Sequence, residues 1–135
     1  MLVVDTCILI DIADDDPQFG RRSAQCLATY LPDGLVISAI SYVELAPVFD
    51  GSPRILETFL SGLGVEYDQG FGMVERSTAF SAWARYISSK RAGQASRRPV
   101  ADALIGAMGM RHDGLITRNA KDFLAFYPDL PIVTP

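Results

Sequence analysis

Short apolar runs alternate along this chain with longer segments of helical character. Leu2-Val3-Val4, Leu35-Val36-Ile37, Leu115-Ile116-Thr117 and Ile132-Val133 are too brief for helices. Their consecutive apolar side chains predict strands buried on both faces. Val65-Glu66-Tyr67 predicts one more short strand. Between them lie helical stretches with clear punctuation. Cys7 to Ile12 predicts a short helix, and Asp16 before Pro17 predicts a capped helix running to Leu31, where Pro32-Asp33-Gly34 stops it. A helix from Ser41 carries Glu44 in its first turn, and another opens at Pro53 and ends at Gly62 and Gly64. Residues 70–91 predict a long helix with Met73, Val74, Phe80, Trp83, Ala84 and Ile87 facing inward. Gly93 to Arg98 predicts a polar, basic loop, followed by helices over Pro99–Arg111 and Asn119–Phe126. Strands alternating with helices predict an α/β fold around a mostly parallel sheet.

The length of 135 residues fits one domain, spanning 1–135, with a core large enough to need no staples. Mean hydropathy is +0.19, yet no apolar run approaches the roughly 20 residues that span a bilayer. The opening Met-Leu-Val-Val-Asp lacks the basic region of a secretion signal, so a cytoplasmic protein is expected. Cys7 and Cys26 are then reduced, buried thiols, with no companion at zinc-binding spacing.

The net charge of −4 argues against nucleic-acid binding by bulk electrostatics. Positive charge is concentrated, however, at Lys90, Arg91, Arg97 and Arg98, just before Asp102, and at Arg118. That clustering fits either a basic rim around an acidic hole or a solvated loop. Arg118 and Lys121 are expected to be solvated unless they meet phosphate.

Acidic and amide side chains stand where strands end or helices begin: Asp5, Glu44, Asp102, and the pair Asn119 and Asp122. Each has an ordinary alternative. Asp5 can cap the helix beginning near Cys7. Ser41 and Glu44 have the spacing of a capping box, and Asn119 can be an N-cap with Asp122 its N3 partner. Asp102 is the most informative position, because it is the only charge between Pro99 and Met110 on an apolar, small-residue helix. A buried carboxylate needs a cation or several donors. Gly106 and Gly109 lie on the same helical face as Asp102 and would let another backbone come close.

Ligand sites in open parallel sheets lie beyond the carboxyl ends of the strands, where Asp5, Ser38 and Thr117 all fall. Two carboxylates 4 Å apart repel by roughly 4 kcal/mol at an effective dielectric near 20. Converging acids would therefore demand a divalent cation, and oxygen ligands suit Mg²⁺ or Mn²⁺. Thr6, Ser41 and Thr117 are placed to hydrogen-bond such ligands. The sole histidine, His112, ends a helix. No nucleophile elbow, Gly-x-x-x-x-Gly-Lys loop or Gly-x-Gly-x-x-Gly turn is present, so hydrolase-triad and nucleotide-cofactor chemistry lack support.

Val-Val-Asp5-Thr-Cys-Ile-Leu-Ile-Asp, Ser-Tyr-Val-Glu44-Leu, Val-Ala-Asp102-Ala-Leu-Ile-Gly-Ala and Leu-Ile-Thr117-Arg-Asn119-Ala-Lys-Asp122-Phe together resemble PIN-domain proteins, specifically VapC-type toxins of type II toxin–antitoxin systems. The resemblance spans nearly the whole chain. It implies a three-layer α/β/α sandwich and Mg²⁺- or Mn²⁺-dependent endoribonuclease activity. By the same resemblance, Asp5 and Asp102 are principal metal ligands and Glu44 a third ligand or general base. The fourth position falls on Asn119, with Asp122 a second acid nearby. Asparagine there departs from an all-acid set and puts a tight second metal in doubt. The implied reaction is in-line attack by metal-activated water, leaving 5′-phosphate and 3′-hydroxyl ends. A cognate antitoxin and a homodimer are implied too, and Ile40, Tyr42, Val48, Phe49, Leu56 and Phe59 would supply an apolar patch if exposed. Two other readings compete: a non-catalytic PIN-like module that binds RNA or protein, and a receiver- or phosphatase-like phosphoryl domain.

Overall fold

The computed structural model describes residues 1–89 and 99–135. The basic cluster Lys90, Arg91, Arg97 and Arg98, and the expected loop from Gly93 to Arg98, lie outside the described residues. Five short strands form one sheet: β1 (Leu2–Val4), β2 (Leu35–Val36), β3 (Val65–Glu66), β4 (Leu115–Ile116) and β5 (Ile132–Val133). Their order is β3-β2-β1-β4-β5, and every pairing is parallel. The helices are α1 (Thr6–Ala13), α2 (Gly20–Tyr30), α3 (Ala39–Glu44), α4 (Pro53–Leu63), α5 (Met73–Ser89), α6 (Val100–Arg111) and α7 (Ala120–Leu124).

Alternation along the strands divides the core in two. Leu2, Val4, Leu35, Val65 and Ile116 face one layer of helices, meeting Ile8 and Leu9 of α1, Leu27 of α2, and Leu56 and Leu60 of α4. Val3, Val36 and Leu115 face the other, meeting Ala79 and Ala82 of α5, Ala103, Ile105, Ala107 and Met108 of α6, and Phe123 of α7. The result is the expected α/β/α sandwich. The central strands are apolar at every position because both their faces are covered.

Several sequence expectations need correction. The long helix spans Met73–Ser89, and its inner face carries Glu75, Ala79 and Ala82. Met73, Val74, Phe80 and Ile87 are exposed, Phe80 to 76%. The helix packs closely on α6, and small residues permit that approach. The Asp16 carboxylate does accept from the Gln18 and Phe19 amides, but only a turn follows, and α2 begins at Gly20. Gly106 does sit in a close approach, though to a ring and not a backbone: a Cβ there would lie 2.6 Å from the Tyr127 ring. Cys7 and Cys26 are free thiols but only half-buried. Among the apolar residues proposed as a patch, Phe49 and Leu56 are core, while Ile40, Tyr42, Val48 and Phe59 are half-buried.

Candidate active site

The strand order reverses between β1 and β4: β2 and β3 build outward on one side of β1, and the chain then crosses to β4 on the other. Such a switch point opens a crevice at the carboxyl ends of the strands. Val4 pairs with Ile116 in register, so the next residues, Asp5 and Thr117, stand side by side at its mouth. The Thr117 hydroxyl donates to Asp5 Oδ2 at 2.6 Å. Cys7 Sγ donates to the same oxygen at 3.1 Å.

Asp5 occupies the N-cap position of α1 but makes no side-chain cap. It is buried. That burial pushes its carboxyl above the usual aspartate value, against the pull of Thr117, Cys7, the Thr6 amide and the charge of Arg118. Burial and the neighbouring Asp5 also push the Cys7 thiol up to about 12, so it serves as a hydrogen-bond donor and not as a nucleophile.

Glu44 reaches the crevice by a different route from the one the sequence predicts. Helix α3 is capped by Ser38, whose hydroxyl accepts from the Ser41 amide at 3.0 Å. The N-cap falls three residues earlier than expected because Ser38, two residues beyond the end of β2, keeps the extended backbone an N-cap needs. Glu44 is therefore the last residue of α3, free of any capping box. Its Oε2 accepts from the Thr6 hydroxyl at 2.5 Å. Ser41, expected beside a ligand, spends its hydroxyl on Ser38 within the cap.

Asp102 lies in the first turn of α6, which packs against β1, α3 and α7. It lines a cavity of about 160 Å³ together with Tyr86, Pro99, Lys121, Asp122, Ala125 and Phe126. Tyr127 fixes this helix by donating to the Ala103 carbonyl at 2.6 Å. Asn119 precedes α7 without a side-chain cap, and its amide donates to the Thr117 hydroxyl at 2.9 Å. The structure thus joins Asp5, Thr6, Glu44, Thr117 and the Asn119 backbone by hydrogen bonds. Asp102 and Asp122 share a cavity whose lining includes none of those residues.

The donor set is all hard oxygen, which fits Mg²⁺ or Mn²⁺ and not a thiolate metal. As the side chains stand, no group of three or more His, Cys, Asp or Glu among the described residues could hold a metal ion. The expected convergence of every acid upon one point is therefore not present. A Mg²⁺ site needs less, since that ion keeps several waters and is commonly held by one or two carboxylates plus substrate phosphate.

The sequence reading missed Asp11. It is buried on α1, and Arg118 pairs with it bidentately, Nε to Oδ2 at 2.7 Å and Nη2 to Oδ1 at 2.9 Å. Arg118 is consequently not a solvated side chain. The available signal was Asp11 itself, a lone charge among Cys7, Ile8, Leu9, Ile10, Ile12 and Ala13.

The sequence matches the PIN domain family over residues 2–127. The chain belongs to the PIN domain family. PIN domains are typically nucleases and generally depend on a divalent metal. Among curated proteins none matches this chain. Solved structures share the fold of this PIN domain throughout. One is a chain of VapBC2 from Rickettsia felis, bound to a DNA fragment from their promoter (TM-score 0.73, 18% identity, covering 98% of this chain and 97% of that one). A toxin–antitoxin complex from Klebsiella pneumoniae gives 0.69 at 24% identity, covering 100% and 98%. FitAcB from Neisseria gonorrhoeae gives 0.66 at 19%, covering 98% and 96%.

Proposed function

We propose that this PIN domain is the toxin of a type II toxin–antitoxin system, a Mg²⁺- or Mn²⁺-dependent endoribonuclease. The observation that carries this reading is Asp5, a buried carboxylate at the sheet's switch point with hydroxyl and thiol donors but no arginine or lysine bound to it among the described residues. A divalent cation held by Asp5 with Asp102 and Glu44 would supply Lewis-acid activation of water and of the scissile phosphate. Thr117 orients Asp5 by donating to one of its oxygens. Thr6 holds Glu44 at the exposed edge of the crevice, where its other oxygen can accept a proton from attacking water. Lys121, on the rim of the Asp102 cavity, offers a positive charge to RNA phosphate. Asn119 or Asp122 completes the site from the α7 side.

Apolar side chains at the surface support the proposed partners. Tyr42, Val43, Ala46, Phe49, Pro53 and Leu56 line a groove of about 170 Å³, with Val43 70% exposed. A helix of an antitoxin, apolar on one face, suits such a groove. Met73, Val74 and Phe80 of α5 supply a separate apolar face for a second copy of the chain. No helix among the described residues is long and apolar enough to cross a membrane.

The test is cleavage of single-stranded RNA by the purified protein with Mn²⁺ or Mg²⁺. Wild type cleaves and EDTA stops it, while Asp5→Asn and Asp102→Asn each lose activity by at least about a hundredfold with the fold intact. Undiminished activity in either variant would overturn the assignment. One observation favours a second reading: the lack of three clustered ligands as the side chains stand suits a non-catalytic module. That module would bind RNA without cleaving it in any metal.

A further inference from the structure

Arg118 sits between two residues that shape the crevice, and its side chain is committed to Asp11. Its guanidinium forms a two-bond fork on Asp11 and lies 4.2 Å from the Phe19 ring centroid. Ser23 of α2 donates to Asp11 Oδ2 at 2.9 Å. The fork therefore ties the turn after β4 to α1 and to the entry of α2, segments more than ninety residues away in the chain. Immediately before Arg118, the Thr117 hydroxyl accepts from the Asn119 amide and donates to Asp5. An amide hydrogen already occupies one side of that oxygen, so the hydroxyl's own hydrogen is aimed at Asp5. This arrangement requires the backbone of residues 117–119 to keep one orientation. A bidentate arginine fork fixes orientation as well as distance, which a lysine would not.

We infer that Asp11 and Arg118 are a positioning pair for the reaction: by fixing the turn after β4, they hold Thr117 and Asn119 in the orientation that sets the Asp5 carboxylate. The inference rests on the ribonuclease reading for its kinetic test, but it can be read independently. Groups that orient a metal-binding carboxylate typically account for roughly 10–100-fold in affinity or activity.

The experiment compares wild type, Asp11→Asn, Arg118→Lys and Ser23→Ala. Each is assayed with a quenched-fluorophore RNA of mixed sequence in Mn²⁺, well below every melting temperature, and titrated with Mn²⁺ by calorimetry without RNA. Asp11→Asn is expected to lower kcat about 10–100-fold with KM for RNA almost unchanged, and to weaken Mn²⁺ binding about tenfold. Arg118→Lys keeps the charge and loses the fork, so a smaller loss of the same kind is expected. Ser23→Ala touches the same carboxylate without touching the arginine. It should lose stability while kcat and Mn²⁺ affinity stay at wild-type values. Wild-type kcat in Asp11→Asn, or losses in Ser23→Ala as large as those in Asp11→Asn, would overturn the positioning role. If Asp11→Asn does not fold, Arg118→Lys carries the test, and wild-type values there overturn it. A wild type that cleaves no RNA defeats the ribonuclease reading alone. Mn²⁺ affinity then decides the pair, with equal affinity in wild type and Arg118→Lys counting against it.

Discussion

Asp5 and Glu75 are both carboxylates buried in the described part of this domain, at 5% and 1% exposure, and their surroundings differ completely. Glu75 on α5 meets Arg111 at the far end of α6 from Asp102, and it also accepts from the Gly72 amide at 3.0 Å. Burial alone would push Glu75 up, but Arg111 and the backbone donors outweigh it and leave its carboxyl below the usual glutamate value. Asp11, also buried, has Arg118. Asp5 has hydroxyl, thiol and amide donors only, and burial wins: its carboxyl is pushed up. Two acids thus hold the fold together with arginines, and the third is kept at a cost. A stability cost at a switch-point crevice is the expected signature of a site built for a ligand, which the proposed function takes to be a cation.

The comparison breaks most readily at the paired acids. Asp11→Asn leaves Arg118 without its partner and should destabilise by about 2–3 kcal/mol in urea unfolding. That is below the roughly 3–5 kcal/mol of a fully buried pair, because Arg118 is 28% exposed. Glu75→Gln should cost less, about 1–2 kcal/mol, since Arg111 is 48% exposed and can return to water. Asp5→Asn should go the other way, unfolding at higher urea by up to about 1 kcal/mol while losing cleavage. Equal losses at all three positions would remove the distinction.

A finer test uses pH. The native state holds the Asp5 proton more tightly than the unfolded chain, so this group makes stability fall as pH rises from its ordinary value of 3.8 through the raised native value. Glu75 contributes with opposite sign: its stabilisation is complete above 4.5 and is lost as pH falls through its depressed native value. Asp5→Asn should abolish the first slope and leave the second. Unfolding curves that keep the same pH dependence in Asp5→Asn would show that Asp5 carries no such penalty.

Much of this was legible in the residues. The strands read directly from their unbroken apolar runs, since both faces are covered, and their carboxyl ends located the crevice. Helix boundaries were less accessible where two caps competed. Ser38 and Ser41 both suit an N-cap, and only the end of β2 at Val36 selects Ser38, which releases Glu44 toward Thr6. The inner face of α5 was misread because its apolar residues are large. Packing against α6 demanded small ones, Ala79 and Ala82, and turned Phe80 outward. The Asp11–Arg118 fork lay beyond reach for another reason, as nothing local in the sequence links residues 107 positions apart.

The claim that Asp5 is a carboxylate awaiting a divalent cation is tested most directly by calorimetric titration of Mn²⁺ into wild type and Asp5→Asn at pH 7. Wild type should bind, and Asp5→Asn at least about tenfold more weakly. Equal affinity in the two proteins, or no binding by wild type, would contradict it.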